Sequence, residues 1–231
     1  AVSLLAAFLV PVFGPGLMRK PSVGSDADSV SALGHRALAA LLKRLDVPVV
    51  VSRGGSGAKA KNGGLLVVAE PDVGEQGDER WTRLADLVGS GTRNHPLLVL
   101  PKRSGTRDSD RDEWIAEAWL LGAPHVQRVL RATNFPGVVL RPEENLTNWR
   151  MGDFGPQPTL YEPQLLAPPR GDFEAVISCD QGVLLARYED PPMYVLSDPD
   201  LLSTHGLATV PGEGSIDRIR RDIRRADEST R

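Results

Sequence analysis

"HPLLVLPK", residues 95–102, runs from Pro96 to Pro101 without a polar residue. A strand with one face in water alternates apolar and polar positions, whereas an unbroken apolar run is buried on both faces, the habit of a parallel sheet covered by helices. "LLVVAEP", residues 65–71, repeats the pattern. Between the two lies "EQGDERWTRLADLV", residues 75–88, which sets Trp81, Leu84, Leu87 and Val88 on one helical face before the stop "GSG". Strand, helix, strand in this order predicts an α/β fold: a three-layer α/β/α sandwich with a mostly parallel sheet, Rossmann-like or flavodoxin-like.

Upstream, "SALGHRALAALLKRLD" at 31–46 places apolar residues at 33, 37, 38, 41, 42 and 45, an amphipathic helix, and "VPVVVS" after it reads as a short strand. "RGGSGAKAKNGG" is a flexible connection, since it matches neither a Walker loop nor a dinucleotide fingerprint. Downstream, "DEWIAEAWLLG" and "HVQRVLRAT" read as one broken or two short helices, and "GVVLRP" as a strand. Prolines and glycines make 145–170 irregular. "FEAVISCDQGVLLARYEDPPMYVLSD", 173–198, is three apolar runs parted by turn residues, the pattern of a β-meander. The expected organisation is a membrane anchor or signal segment at 1–20, a linker at 21–29, the α/β domain at 30–212 and an exposed tail helix at 213–231.

The expectation at 1–20 rests on eighteen uncharged residues followed by Arg19 and Lys20. Across 231 residues the formal charge is −3 and the basic residues are scattered, so nothing points to a nucleic-acid partner. The single cysteine, Cys179, excludes an intramolecular disulfide framework and a Cys-rich zinc site.

The run from "SALGHRALAALLKRLDVPVVVSR" through "LLVVAEPD" and "LLVLPKR" to "YVLSDPDLLSTHGL" resembles the bacterial domain-of-unknown-function (DUF) 4350 family. The resemblance covers roughly residues 1 to 207. It implies a membrane-anchored protein carrying a class I glutamine-amidotransferase-like, flavodoxin-type domain on the extracytoplasmic side. It further implies an accessory role in a membrane assembly of the cell envelope, beside a MoxR-type ATPase and a von Willebrand-like adhesion protein. Many members follow Asp-Pro-Asp-Leu-Leu with an Asn-rich turn and a second membrane segment; here the turn reads "STHGLATVPGEG".

An amidotransferase needs a nucleophilic cysteine on a sharp turn after a strand. Cys179 lies inside "AVISCD" without such a turn, and core packing is its expected role. No Gly-x-Ser-x-Gly occurs either. The strand ends present Glu70, Asp72 and Lys102 instead, and ligands gather at the carboxyl ends of strands in doubly wound sheets. His35 lies at the first helix and faces either that crevice or solvent, while His95 and His125 lack metal-ligand spacing. Asp198 and Asp200 close the last strand with His205 five residues beyond. They are expected to cap the following turn, with ligand contact and metal binding as the alternatives.

The ligand-binding candidates are therefore His35, Glu70, Asp72, Lys102, Asp198, Asp200 and His205. No catalytic residue, metal or cofactor is assigned. The expected function is a non-catalytic, membrane-tethered binding or accessory domain; the rival is a hydrolase or transferase using Asp198, Asp200, His205 and either Glu70 or Lys102.

Overall fold

The computed structural model describes residues 24–52, 64–74, 78–88, 95–111, 113–143, 146–152, 157–169 and 172–208. Its helices are α1 (Arg36–Arg44), α2 (Glu79–Val88), α3 (Ala123–Ala132) and α4 (Thr204–Ala208), with a 3-10 turn at Pro199–Leu201. Its strands are β1 (Val67–Ala69), β2 (Leu97–Val99), β3 (Arg103–Arg107), β4 (Ile115–Leu120), β5 (Val139–Leu140), β6 (Leu165–Leu166), β7 (Glu174–Cys179), β8 (Gly182–Glu189) and β9 (Pro192–Leu196). Seven strands form one sheet in the order β1-β2-β9-β8-β6-β5, with β7 also paired to β8, while β3 and β4 form a separate hairpin.

The expected mostly parallel sheet is not what forms. Two of the six pairings in the main sheet are parallel, β1 with β2 and β2 with β9; the pairings β5–β6, β6–β8, β7–β8 and β8–β9 are antiparallel. An unbroken apolar run reports burial on both faces and says nothing of direction. β8 and β9 are joined by two residues, a link too short for the crossover that parallel neighbours need. The frame is therefore a mixed α/β sheet with a parallel trio, β1-β2-β9, at one side.

Nor is it a three-layer sandwich. Neighbouring residues of β2 face opposite ways: Leu98 packs with Leu84 and Val88 of α2 and Val126, Val129 and Leu130 of α3. Val99 packs with Leu165, Leu184, Leu196 and the irregular segment bearing Leu146, Trp149 and Leu160. Helices cover one face and irregular chain covers the other. Leu98, Leu130, Leu165 and Leu184 are 0% exposed, and burial of a side chain of this size contributes about 1.5–3 kcal/mol. Cys179 is buried in the second cluster.

Two further expectations are corrected. Within "DEWIAEAWLLG", residues 115–120 form β4 instead of a helix; they pair antiparallel with β3, and a Cβ at Gly105 would lie 2.8 Å from the Glu117 carbonyl oxygen. The close ladder overrides the helical propensity of Ala and Glu. Residues 47–52 form no strand, and Val50 is 76% exposed. The anchor expected at 1–20 and the tail helix expected at 213–231 lie outside the described residues. Among the described residues no helix is long and apolar enough to cross a membrane, so the described structure gives no support to the expected membrane-anchored localisation.

Candidate functional site: a buried polar cluster at the strand ends

The three parallel strands end at one edge of the sheet. β1 delivers Glu70, the link after β2 delivers Pro101 and Lys102, Arg103 opens β3, and β9 delivers Ser197 and Asp198. Polar residues follow within three positions of each strand end, so the topology gathers charge that lies far apart in sequence.

Lys102 is the centre of the cluster and is 0% exposed. Its Nζ donates to Asp198 Oδ2, Asp200 Oδ2 and the Tyr161 carbonyl, each at 2.7 Å. An ammonium has three donors, and all three are used. Asp198 is held from both sides: Oδ1 accepts the Asp200 N–H at 3.0 Å, which caps the 3-10 turn, and Oδ2 accepts the Gln164 N–H at 2.9 Å. Burial pushes the Asp198 carboxyl above its ordinary range, and the neighbouring Asp200 charge adds to this while Lys102 opposes it.

Arg103 closes the outer side. Its Nη1 donates to Asp200 Oδ1 at 3.0 Å, and its Nη2 to Glu162 Oε2 at 2.9 Å and the Tyr161 carbonyl at 3.1 Å. Gln164 ties the floor together, its Nε2 donating to the carbonyls of Pro101 and Ser197 and its Oε1 accepting from Arg141 Nη2 at 3.0 Å.

A second pair lies beside the first. His35 Nε2 and Glu70 Oε1 are 2.9 Å apart, with side chains 3% and 4% exposed. His35 Nδ1 meets the Leu202 carbonyl at 3.1 Å, and Glu70 Oε2 accepts the Lys102 N–H at 3.3 Å. Both ring nitrogens face acceptors, so the imidazole is fully satisfied only when doubly protonated. Burial disfavours that charge, but the hydrogen bond and charge of Glu70 outweigh it and raise His35 above its usual value. Burial raises Glu70 as well, with His35 opposing it. Glu70 adopts φ 43°, the left-handed region that a residue with a side chain occupies only under tertiary constraint.

Five of the seven candidates thus converge: His35, Glu70, Lys102, Asp198 and Asp200. Asp72 turns outward, 62% exposed, and pairs with Arg80. His205 is exposed on α4 and takes no part. Asp198 caps as expected and also pairs with a buried lysine. Among the described residues no group of three or more His, Cys, Asp and Glu is placed to hold a metal. Sequence reasoning missed Arg103, Glu162, Gln164 and Arg141. Arg103 sits next to Lys102, but Gln164 belongs to the proline-rich stretch, where no periodicity marks it.

Beside the cluster opens a cleft of about 780 Å³ whose walls include Arg141, Leu146, Trp149, Leu160, Tyr161 and Glu162. It shares Tyr161 and Glu162 with the Arg103 contacts and Arg141 with Gln164. Among the described residues Arg141 has no carboxylate within ion-pair distance, and its Nε is buried without a partner. No protein-family model, curated protein or solved structure matches the chain, so the site is read from its own geometry.

Proposed function

We propose that the chain is a non-catalytic binding module whose recognition surface is the cleft beside the strand-end cluster. The observation that carries this reading is the saturation of Lys102: with its three hydrogens committed and Asp198 and Asp200 paired, the strand ends form a closed brace instead of an open reaction centre. The brace holds Tyr161, Glu162 and Gln164 in place, and through Gln164 it positions Arg141 in the cleft wall. The occupant with matching chemistry is an extended peptide segment of a protein partner. It would bring a carboxylate to Arg141 and an apolar side chain to Trp149 and Leu160.

A peptide library displayed on an array tests this, with acidic and amidated versions of each sequence. The expected result is selection of acidic-apolar peptides, lost in Arg141→Gln and in Trp149→Ala while both variants keep the parent's circular dichroism. Selection that ignores both substitutions overturns the assignment of the cleft. A hydrolase or transferase reading draws on one observation, the left-handed backbone of Glu70 beside His35. Hydrolysis of ester or amide substrates that is abolished by Glu70→Gln would put it first.

A further inference from the structure

The brace at the strand ends also contains the parts of an acyl transfer. Lys102 Nζ lies 2.7 Å from Asp198 Oδ2, with both side chains 0% exposed. Asp200 Oδ2 lies 2.7 Å from the same nitrogen. The two Asp198 oxygens each accept a peptide N–H, from Asp200 and from Gln164.

We infer that Lys102 and Asp198 form an internal isopeptide bond, with Asp200 as the proton carrier. Proton transfer within the buried pair gives a neutral amine and a carboxylic acid, a form that exclusion of water favours over two ions. The amine nitrogen attacks Asp198 Cγ. Negative charge developing on the retained oxygen, Oδ1, is met by the Asp200 N–H already in position, a one-donor oxyanion site. The Asp200 carboxylate takes a proton from nitrogen and returns it to the departing oxygen. The N–C bond forms, the C–O bond breaks, and water leaves with two of the three original ammonium hydrogens. Asp200 is regenerated unchanged at the end of the cycle, and Arg103 Nη1 lies 3.0 Å from its Oδ1. No oxidant or cofactor enters the balance.

Amide formation from an acid and an amine is unfavourable in dilute water, but holding the two in contact supplies an effective concentration of about 10⁵–10⁸ M. Burial, which raises the Asp198 carboxyl, works in the same direction. The product fits the cluster: the remaining amide N–H has Asp200 Oδ2 and the Tyr161 carbonyl as acceptors, and with Oδ2, the oxygen nearest Lys102, departing as water, the amide oxygen is Oδ1, which keeps the Asp200 N–H. The reaction occurs once per chain, is independent of the cleft, and ties the end of β2 to the end of β9.

Mass spectrometry of the full chain, denatured after folding and purification, decides the matter. The parent is expected one water lighter than its sequence mass, with proteolysis yielding a branched peptide that joins the segments of Lys102 and Asp198. Lys102→Arg and Asp198→Ala should both keep full mass. Asp200→Asn, with near-native circular dichroism, should keep full mass or form the link at least tenfold more slowly. Asp198 cannot lose water to its own backbone, because Pro199 has no N–H to close a succinimide. A folded parent that stays at full mass on prolonged incubation overturns the inference, as does a water loss confined to one linear peptide. A fully linked Asp200→Asn protein removes Asp200 from the mechanism.

Discussion

Replacing His35 with Phe tests the second buried pair, and the structure fixes both the size and the pH dependence of the effect. The imidazole is 3% exposed and joins the start of α1 to Glu70 and to the Leu202 carbonyl. Without it the Glu70 carboxylate, 4% exposed, keeps only the Lys102 N–H at 3.3 Å among the described residues. Removing one partner of a buried ion pair costs about 3–5 kcal/mol, a large share of the roughly 5–15 kcal/mol that holds a domain together. Glu70 can relieve the loss by taking up a proton, a tendency its burial already promotes, which places the expectation near the lower end, about 3 kcal/mol. The His35 contribution has a definite sign: its folded value lies above 6.5, so the stability it supplies is complete below the unfolded value and is lost as pH rises through the folded one. Urea unfolding followed by tryptophan fluorescence at a series of pH values should show the parent weakening from about pH 6.5 upward. The His35→Phe curve should lie lower and be flatter. A cost under about 1 kcal/mol at pH 6, or an unchanged pH slope in the variant, refutes the account of a protonated His35 locked onto Glu70.

Gly206→Ala should destabilise severely, because the added Cβ would lie 1.4 Å from the Asp200 carbonyl oxygen; a melting temperature equal to the parent's would contradict the packing of α4 on the 3-10 turn. Leu130→Ala, at a side chain 0% exposed, should cost about 2–5 kcal/mol in urea unfolding; a loss under 1 kcal/mol would contradict its place in the core. Ca²⁺, Mg²⁺, Mn²⁺ and Zn²⁺ should leave the melting temperature unchanged, since the Lys102 nitrogen, linked or unlinked, already occupies the space between Asp198 and Asp200. A rise with any of these ions that Asp198→Asn abolishes would show that the cation displaces the lysine.

The residues that meet at the strand ends were legible because one topological rule, that polar groups collect where parallel strands end, needs only the strand positions. It nominated Glu70, Lys102, Asp198 and Asp200 at strand ends, although it left open whether they meet and the rest of the sheet was misread. It failed at Asp72, two residues beyond Glu70, because the chain has turned by then and Arg80 draws the carboxylate outward. Strand direction was not legible. "PMYVL" has the same apolar character whether its neighbour is parallel β2 or antiparallel β8, and it has one of each. The hairpin at 103–120 was hidden by alanines and glutamates with helical preference. Gln164 and Arg141 carry no motif, and only three-dimensional proximity reveals them.

The α4 backbone also grips the opposite end of the described chain. Thr204 and His205 donate their peptide N–H groups to the carbonyls of Gly34 and Ala32, at 2.7 and 3.1 Å, and the Thr204 hydroxyl donates to Gly34 as well. Segments about 170 residues apart are thereby clasped in register, and neither can detach without releasing the other. In native-state hydrogen exchange the two make one cooperative opening unit. The amides of Thr204 and His205 should therefore exchange only when residues 26–35 lift away, and cleavage by a protease near 203 should expose the loop before α1 in the same event.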